Sequence, residues 1–493
     1  MISTIALQNN PKSRISILYW LCGLAAGLGV WQLTAVLVGQ PLIVPRLESI
    51  VAATKDILTG DDFVPTVAAT LFRIAATIVL DTIIAFLLGI AAGLSERVEV
   101  LLSPFETAMR AVPTMGILLL SLIWFNSEIT PIFVASLIAL PLLYRGVVNG
   151  VKNIDIRLIQ MSASFRVSFW YRLKDLYIPA IRPFTLTAYF AALGLLVKVM
   201  VTAEVLSQPR RGIGTEFQIA RAQLDTATIF GWAIIVIIFA RFMELAAQRF
   251  LSQENGHKTM PSATDTEAAA TDIRTAAADP SPACTFDDTV FDKAQAAISV
   301  ENISFDFESL PVFQSFSLEI KPGQIRYILG RSGRGKTTLL FLIAGLLHPQ
   351  RGRIRISPPE AKIGFAYQDI RLIPHLTAEE NIRYVLLSEC SAEESQRRAR
   401  YYLRLFGLQG FEHFLPAELS GGMQRRVGLA RALAYPSEIL LLDEAFDSLD
   451  PETKKAAVSV FSQIVRAQRR TVLCVTHDPA FVQLLDGSAV AIE

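Results

Sequence analysis

The stretch Gly330-Arg331-Ser332-Gly333-Arg334-Gly335-Lys336-Thr337 lies between an apolar run, Ile325 to Leu329, and a helix-like run, Thr338 to Leu347. No other feature constrains the chain as tightly. A glycine-rich turn between a strand and a helix lets consecutive backbone N–H groups close on a phosphate chain, and the helix N-terminus adds positive partial charge. Residues 330 to 338 therefore read as a cradle for a nucleoside triphosphate such as ATP, with Thr338 continuing the cradle into the helix. Lys336 suits the outer phosphates, and the Thr337 hydroxyl suits Mg²⁺.

The chain downstream of the cradle fits the same chemistry. Lys362 to Tyr367 reads as a strand ending at Gln368, and Ser391 to Phe406 reads as a charged helix. Leu419-Ser420-Gly421-Gly422-Met423-Gln424 opens another helix. Ile439 to Leu442 is a fully apolar strand ending in Asp443-Glu444, and Thr471 to Val475 is a second, ending in Thr476-His477. Buried parallel strands that alternate with helices imply an α/β core with its ligand at the carboxyl ends of the strands. At those ends Asp443 is placed to hold Mg²⁺, and Glu444 to accept a proton from an attacking water. His477 suits the γ-phosphate. Gln368 can orient water and, with Thr337 and Asp443, stand at the metal.

The first half has a different character. With 52% hydrophobic residues and a mean hydropathy of +0.41, the 493-residue chain is too apolar to be water-soluble throughout. Apolar runs near 15–39, 69–94, 111–125, 131–148, 185–206 and 229–250 predict about six membrane helices, the third interrupted by Pro113 and Gly116. Arg145, Lys152, Arg157, Arg166, Arg172, Lys174 and Arg182 crowd the connection between the fourth and fifth runs, whereas Asn126 to Thr130 carries no basic residue. The positive-inside rule then places the crowded connection and both ends of this half in the cytoplasm. Asp81, Lys198 and Glu204 fall within or near spans, where a charge either pairs or serves a solute path. Lys198 is the best placed of them for a solute contact.

Between the halves, residues 252–296 are dominated by Ala, Thr, Asp, Ser and Pro, the composition of a flexible linker. The expected organisation is residues 1–251 in the membrane, 252–296 as the linker and 297–493 as the nucleotide-binding domain. A net charge of +1 makes no case for nucleic acid. Cys22, Cys284, Cys390 and Cys474 lie far apart, with no spacing that suggests a disulfide framework or a zinc site.

The motifs together resemble a known family. From residue 298 to the end the chain is similar to the ABC ATPases, with Phe307 at the adenine-stacking position, the 330–337 loop, Gln368, the Leu419 to Gln424 signature, Asp443-Glu444, Ser448-Leu449-Asp450 and His477. The resemblance implies that Ser420-Gly421-Gly422 contacts ATP held by a second ATPase domain, so that two copies pair. Over most of residues 60 to 250, Arg110-Ala111-Val112-Pro113, Ser121 to Phe125, Glu204 and Gly212-Ile213-Gly214 resemble the nitrate/sulfonate/taurine-type importer permeases. Gln160-Met161-Ser162, Arg166 and Ile178-Pro179 sit at the offsets of that family's cytoplasmic coupling loop, with Gln160 at its glutamate position and Arg166 at its glycine position. Only glycine adopts a positive φ cheaply, so Arg166 raises the question of whether the turn survives.

The resemblance implies an all-α transmembrane permease domain followed by an α/β P-loop ATPase, fused in one chain. It also implies import of a small solute across the cytoplasmic membrane, with a separate extracytoplasmic solute-binding protein. Two other readings stand beside it: an exporter with six spans and an ATPase, and a membrane-bound ATPase that drives mechanical signalling without moving solute.

Overall fold

The structure, a computed structural model, describes residues 11–254, 296–307, 310–331, 333–447, 449–476 and 488–491. Nearly all of the linker expected at 252–296 lies outside the described residues, as do Ser332, Ser448 and His477. The chain forms two compact units. The first takes the residues up to Asn153 together with those from Ala180 into the last membrane helix, and the second takes Ile154–Pro179 together with the C-terminal half.

The first unit is entirely helical among its described residues: α1 (Pro11–Val38), α2 (Leu47–Thr59), α3 (Phe63–Leu94), α4 (Glu96–Ala111), α5 (Thr114–Trp124), α6 (Thr130–Lys152), α9 (Ile178–Ser207), α10 (Ile213–Ala222) and α11 (Thr226–Glu254). Among the described residues, five helical segments are long and apolar enough to cross a membrane, or up to six if α4 and α5 form one broken span. The expected third span is that broken one. α4 ends at Ala111, Val112-Pro113 is extended, and α5 departs at 100°. The physical reason is local, because proline disfavours helical geometry at the preceding residue and donates no backbone N–H.

Small residues set the packing around α6. A Cβ on Gly89 would lie 2.8 Å from the Val147 Cβ, and one on Gly93 2.5 Å from the Val151 Cβ, so two glycines one turn apart let α3 approach α6 at backbone distance. One buried charge, Glu204, is fully matched by its neighbours, whereas Asp81 on α3 is buried with neither carboxylate oxygen hydrogen-bonded. Glu204 on α9 is fully buried and accepts from Arg73 Nη1 (2.7 Å), the Thr70 hydroxyl (3.0 Å) and the Gly214 N–H (3.0 Å). Arg73 also reaches Glu128 at 2.5 Å and the Arg211 carbonyl at 2.9 Å. A Cβ on Gly214 would lie 2.4 Å from the Glu204 Cβ, which explains the glycine. Glu204 is thus a structural ion-pair partner that ties α3, α9 and the Gly212–Gly214 turn together.

In the second unit a short antiparallel sheet, ordered β2-β1-β4, is built from β1 (Ala297–Phe307), β2 (Leu310–Ile320) and β4 (Arg351–Ser357). A five-stranded sheet carries β5 (Ile363–Ala366), β6 (Ile439–Asp443), β7 (Thr471–Val475), β3 (Ile325–Leu329) and β8 (Ser488–Ala491) in that order. Every pairing in it is parallel. β6 and β7 are buried along their whole length, as their unbroken apolar sequences require. Because the strands run the same way, residues 330, 367–368, 444 and 476 all leave the sheet at one edge.

Candidate functional site

The phosphate-type loop leaves β3 and enters α12 (Lys336–Ile343). Gly333 and Gly335 have φ of 83° and 82°, and a Cβ on Gly335 would sit 2.4 Å from Val312 Cγ1, so this turn needs glycine for both conformation and space. Lys336 is buried, and its ammonium donates to the carbonyls of Gly330 (2.8 Å) and Arg331 (3.0 Å), which curls the loop around the lysine. Arg331, Gly333 and Arg334 are exposed on the rim, while Gly330, Thr337 and Thr338 are half-buried.

Asp443 closes β6 and is buried. Burial pushes its carboxyl up to about 6, with the Thr337 hydroxyl bond and the Lys336 charge pulling the other way. Its Oδ1 has no hydrogen-bond partner. A buried, unpartnered carboxylate oxygen beside a threonine hydroxyl is a hard-oxygen donor pair that fits a small divalent cation such as Mg²⁺. Glu444, next in sequence, has φ 47°, a conformation costly for a residue with a Cβ. Its N–H donates to the Val475 carbonyl at 2.9 Å, and this bond turns its side chain to meet Gln368, whose Nε2 donates to Glu444 Oε2 at 2.8 Å. Five of the residues expected at the site, Lys336, Thr337, Asp443, Glu444 and Gln368, therefore stand on one edge of the sheet.

Four other expected residues sit elsewhere. Phe307 is half exposed and packs edge-on to Phe305, with ring centroids 4.9 Å apart. Ser420 caps α15 (Gly421–Ala434), accepting from the Met423 N–H at 3.3 Å, with Gly421 and Gly422 in the first turn. Among the described residues no hydrogen bond joins Phe307, Ser420, Gly421 or Gly422 to the 330–338 loop. His477 and Ser332 lie outside the described residues.

The segment Ile154–Pro179 belongs to this same unit. It forms α7 (Ile156–Ser164), α8 (Phe169–Arg172) and a wide turn, Leu173–Tyr177. Asp155 caps α7 by accepting from the Arg157 N–H. The C-terminus is a Schellman closure: the Val167 N–H reaches the Ser162 carbonyl, the Arg166 N–H reaches the Ala163 carbonyl (3.0 Å each), and Arg166 takes φ 51°. The turn thus survives without its glycine. Arg166 donates in addition to the carbonyls of Glu360 and Ala361, 3.2 Å each.

Around it the ATPase half supplies a fitted seat. The Ser162 hydroxyl, which donates to the Leu158 carbonyl, accepts from the Tyr384 hydroxyl at 2.9 Å. Tyr367 donates to the Ser164 hydroxyl at 2.6 Å. Burial pushes both tyrosines up to about 12, so they remain donors. Phe165 is fully buried, edge-on to Tyr435 (5.1 Å) and beneath the Arg431 guanidinium (5.7 Å). Arg371 stacks on Tyr367 at 3.8 Å and donates to Gln160 Oε1 at 3.2 Å, while Arg157 pairs with Asp369 at 3.4 Å. Residues 368–371 consequently touch Glu444 at one end and α7 at the other. None of Tyr367, Arg371, Tyr384, Arg431 or Tyr435 was identified from the sequence. The one signal available was the position of Tyr367 and Arg371 beside Gln368.

A P-loop, a parallel sheet with an acidic strand end and a serine-glycine helix cap define an ATP-binding cassette, here carried by the same chain as a helical permease-like region. Residues 313–447 match the family "ABC transporter", and residues 85–250 match the family "Binding-protein-dependent transport system inner membrane component". The taurine import ATP-binding protein TauB of Yersinia pestis bv. Antiqua is 39% identical over 187 residues, covering 37% of this chain and 73% of that protein. The sulfate/thiosulfate import ATP-binding protein CysA of Mesorhizobium japonicum is 40% identical over 194 residues, and the Fe(3+) ions import ATP-binding protein FbpC of Brucella abortus is 38% identical over 191. The chain spans 56% and 54% of the length of those two relatives. The chain belongs to the ABC transporter family.

Proposed function

We propose that the chain is the fused permease and ATPase half of an importer, driven by ATP hydrolysis and assembled from two copies in the cytoplasmic membrane. The observation that carries this reading is the seating of α7 against residues 367–371, which adjoin the Gln368–Glu444 bond. Movement at the nucleotide is thereby linked to a loop continuous with membrane helices α6 and α9.

In this reading Glu444 accepts a proton from water, held in its strained conformation by the Val475 carbonyl and oriented by Gln368. Lys336, with the backbone of residues 330–335 and the hydroxyl-bearing start of α12, binds the phosphates, and Thr338 completes that turn. Thr337, Asp443 and Gln368 hold Mg²⁺, which when bound neutralises phosphate charge. Phe307 receives adenine, and His477 approaches the γ-phosphate. Ser420, Gly421 and Gly422 serve the ATP of the second copy. The arrangement proposed for the domains is membrane residues 1–251, linker 252–296 and ATPase 297–493, the last in the cytoplasm with the basic loop 154–179. A separate extracytoplasmic binding protein delivers a small solute of the nitrate, sulfate or sulfonate class, in keeping with the sulfate and taurine importers among the relatives.

The test is uptake of labelled sulfate, thiosulfate and taurine by cells that express the chain with candidate binding proteins. Accumulation abolished by Glu444→Gln supports the reading. Glu444-dependent efflux from preloaded cells would replace it with export.

A further inference from the structure

Lys198 is a cation in an unusual place. Between Arg182 and Arg210 the only charged residues of α9 and its C-terminal turn are Lys198 and Glu204, and position 196 is the midpoint of that stretch. Glu204 is fully buried in its bonds to Arg73, Thr70 and Gly214. Lys198 instead lies on the open face of the helix, in a stripe with Thr187, Ala191, Leu195 and Thr202 at spacings of three and four. Lys198 is nine residues before the helix end at Ser207, about 13 Å of rise. A four-carbon stem reaches on the order of 6 Å, too short to carry the ammonium back to the headgroups.

Among the described residues, the membrane spans offer Lys198 no open counter-charge. Among the described residues, no ion pair is made by Lys198. The carboxylates within α1, α3, α6, α9 and the Thr226–Met243 span are Asp81 and Glu204 alone, and both are 0% exposed. In the broken span, Glu99 and Glu106 are held by Arg145 and Lys152, and Glu96 only opens the helix beside Arg97. A second copy would bring the same set, so it too lacks an open carboxylate at this depth. A membrane-embedded ammonium on an open face therefore needs water and a mobile anion.

We propose that Lys198 is the cationic contact for a small oxyanion, sulfate, thiosulfate or a sulfonate, on the transport path along the open face of α9. This rests on the import reading and narrows it. Sulfate and taurine fit such a contact, and a free ferric ion does not.

The experiment uses the full-length chain in liposomes, with Cys22, Cys284, Cys390 and Cys474 replaced by serine and Lys198→Cys introduced. A second chain carries Ile237→Cys on the exposed apolar face of α11. The expected result is labelling of Lys198→Cys by a membrane-impermeant methanethiosulfonate about tenfold faster than Ile237→Cys, because the first faces water and the second lipid. Sulfate, thiosulfate or taurine at millimolar concentration slows that labelling. In the otherwise unaltered chain, Lys198→Gln lowers oxyanion uptake about tenfold, Lys198→Arg retains it, and basal ATP hydrolysis is unchanged in both. Labelling no faster than Ile237→Cys, labelling indifferent to all three anions, or uptake undiminished in Lys198→Gln overturns the assignment. Rapid, anion-protected labelling in a chain that accumulates no solute would refute the import reading and leave the oxyanion contact standing.

Discussion

Replacing Arg166 tests whether the loop 154–179 is clipped to the ATPase half or merely rests on it. Holding a residue with a Cβ in the left-handed region costs about 1 kcal/mol relative to glycine. Against this, the guanidinium donates to the Glu360 and Ala361 carbonyls at 3.2 Å each, worth about 1 kcal/mol apiece at a site open to solvent. Arg166→Ala keeps the strain and removes both donors, a loss of about 2 kcal/mol, or roughly 30-fold faster local opening. Arg166→Gly removes the same donors but relieves the strain, leaving a net loss of about 1 kcal/mol and roughly fivefold faster opening. Amide hydrogen exchange of residues 156–166 in the full chain reads this directly. If Arg166 were a bystander, Arg166→Ala would be silent and Arg166→Gly would slow exchange. Slower exchange in Arg166→Gly than in the parent chain refutes the clip.

Other substitutions have expected outcomes of their own. Arg73→Ala leaves Glu204 buried without its cation and should lower stability by about 3–5 kcal/mol in thermal unfolding of the solubilised protein, with Glu204→Gln in the same chain recovering part of the loss. Gly93→Val places bulk where a Cβ already meets Val151 at 2.5 Å, so it should cost about 1–3 kcal/mol in the same assay, while Gly116→Ala, with open space around it, should not. Tyr367→Phe deletes the bond to Ser164 and should loosen exchange at α7 by about 1 kcal/mol without unfolding the ATPase sheet.

How far the sequence could be read depends on how each feature is built. The phosphate loop and the acidic end of β6 are contiguous chemistry, since the glycines, lysine, threonine and the Asp443-Glu444 pair must be neighbours in the chain to act together. They were therefore legible, as were the long apolar spans. The seat for α7 was not, because Tyr367, Tyr384, Arg431 and Tyr435 come together only when β5, α13 (Ala378–Leu386) and α15 pack. Glu204 left two readings open from sequence because its partner Arg73 lies 131 residues away. At Arg166 the lost glycine raised doubt about the turn, and the chain keeps the turn with two hydrogen bonds that the motif itself does not contain. Pro113 gave warning of a broken third span, but the 100° bend depends on how α4 and α5 pack.

The most direct measurement is ATP hydrolysis by the full-length chain in lipid, parent beside Glu444→Gln, with and without extracytoplasmic binding proteins loaded with sulfate, thiosulfate or taurine. The expected result is a rate that one loaded binding protein raises and that Glu444→Gln abolishes. A Glu444-dependent rate that no loaded binding protein alters would contradict import and leave export or mechanical work as the use of the ATP.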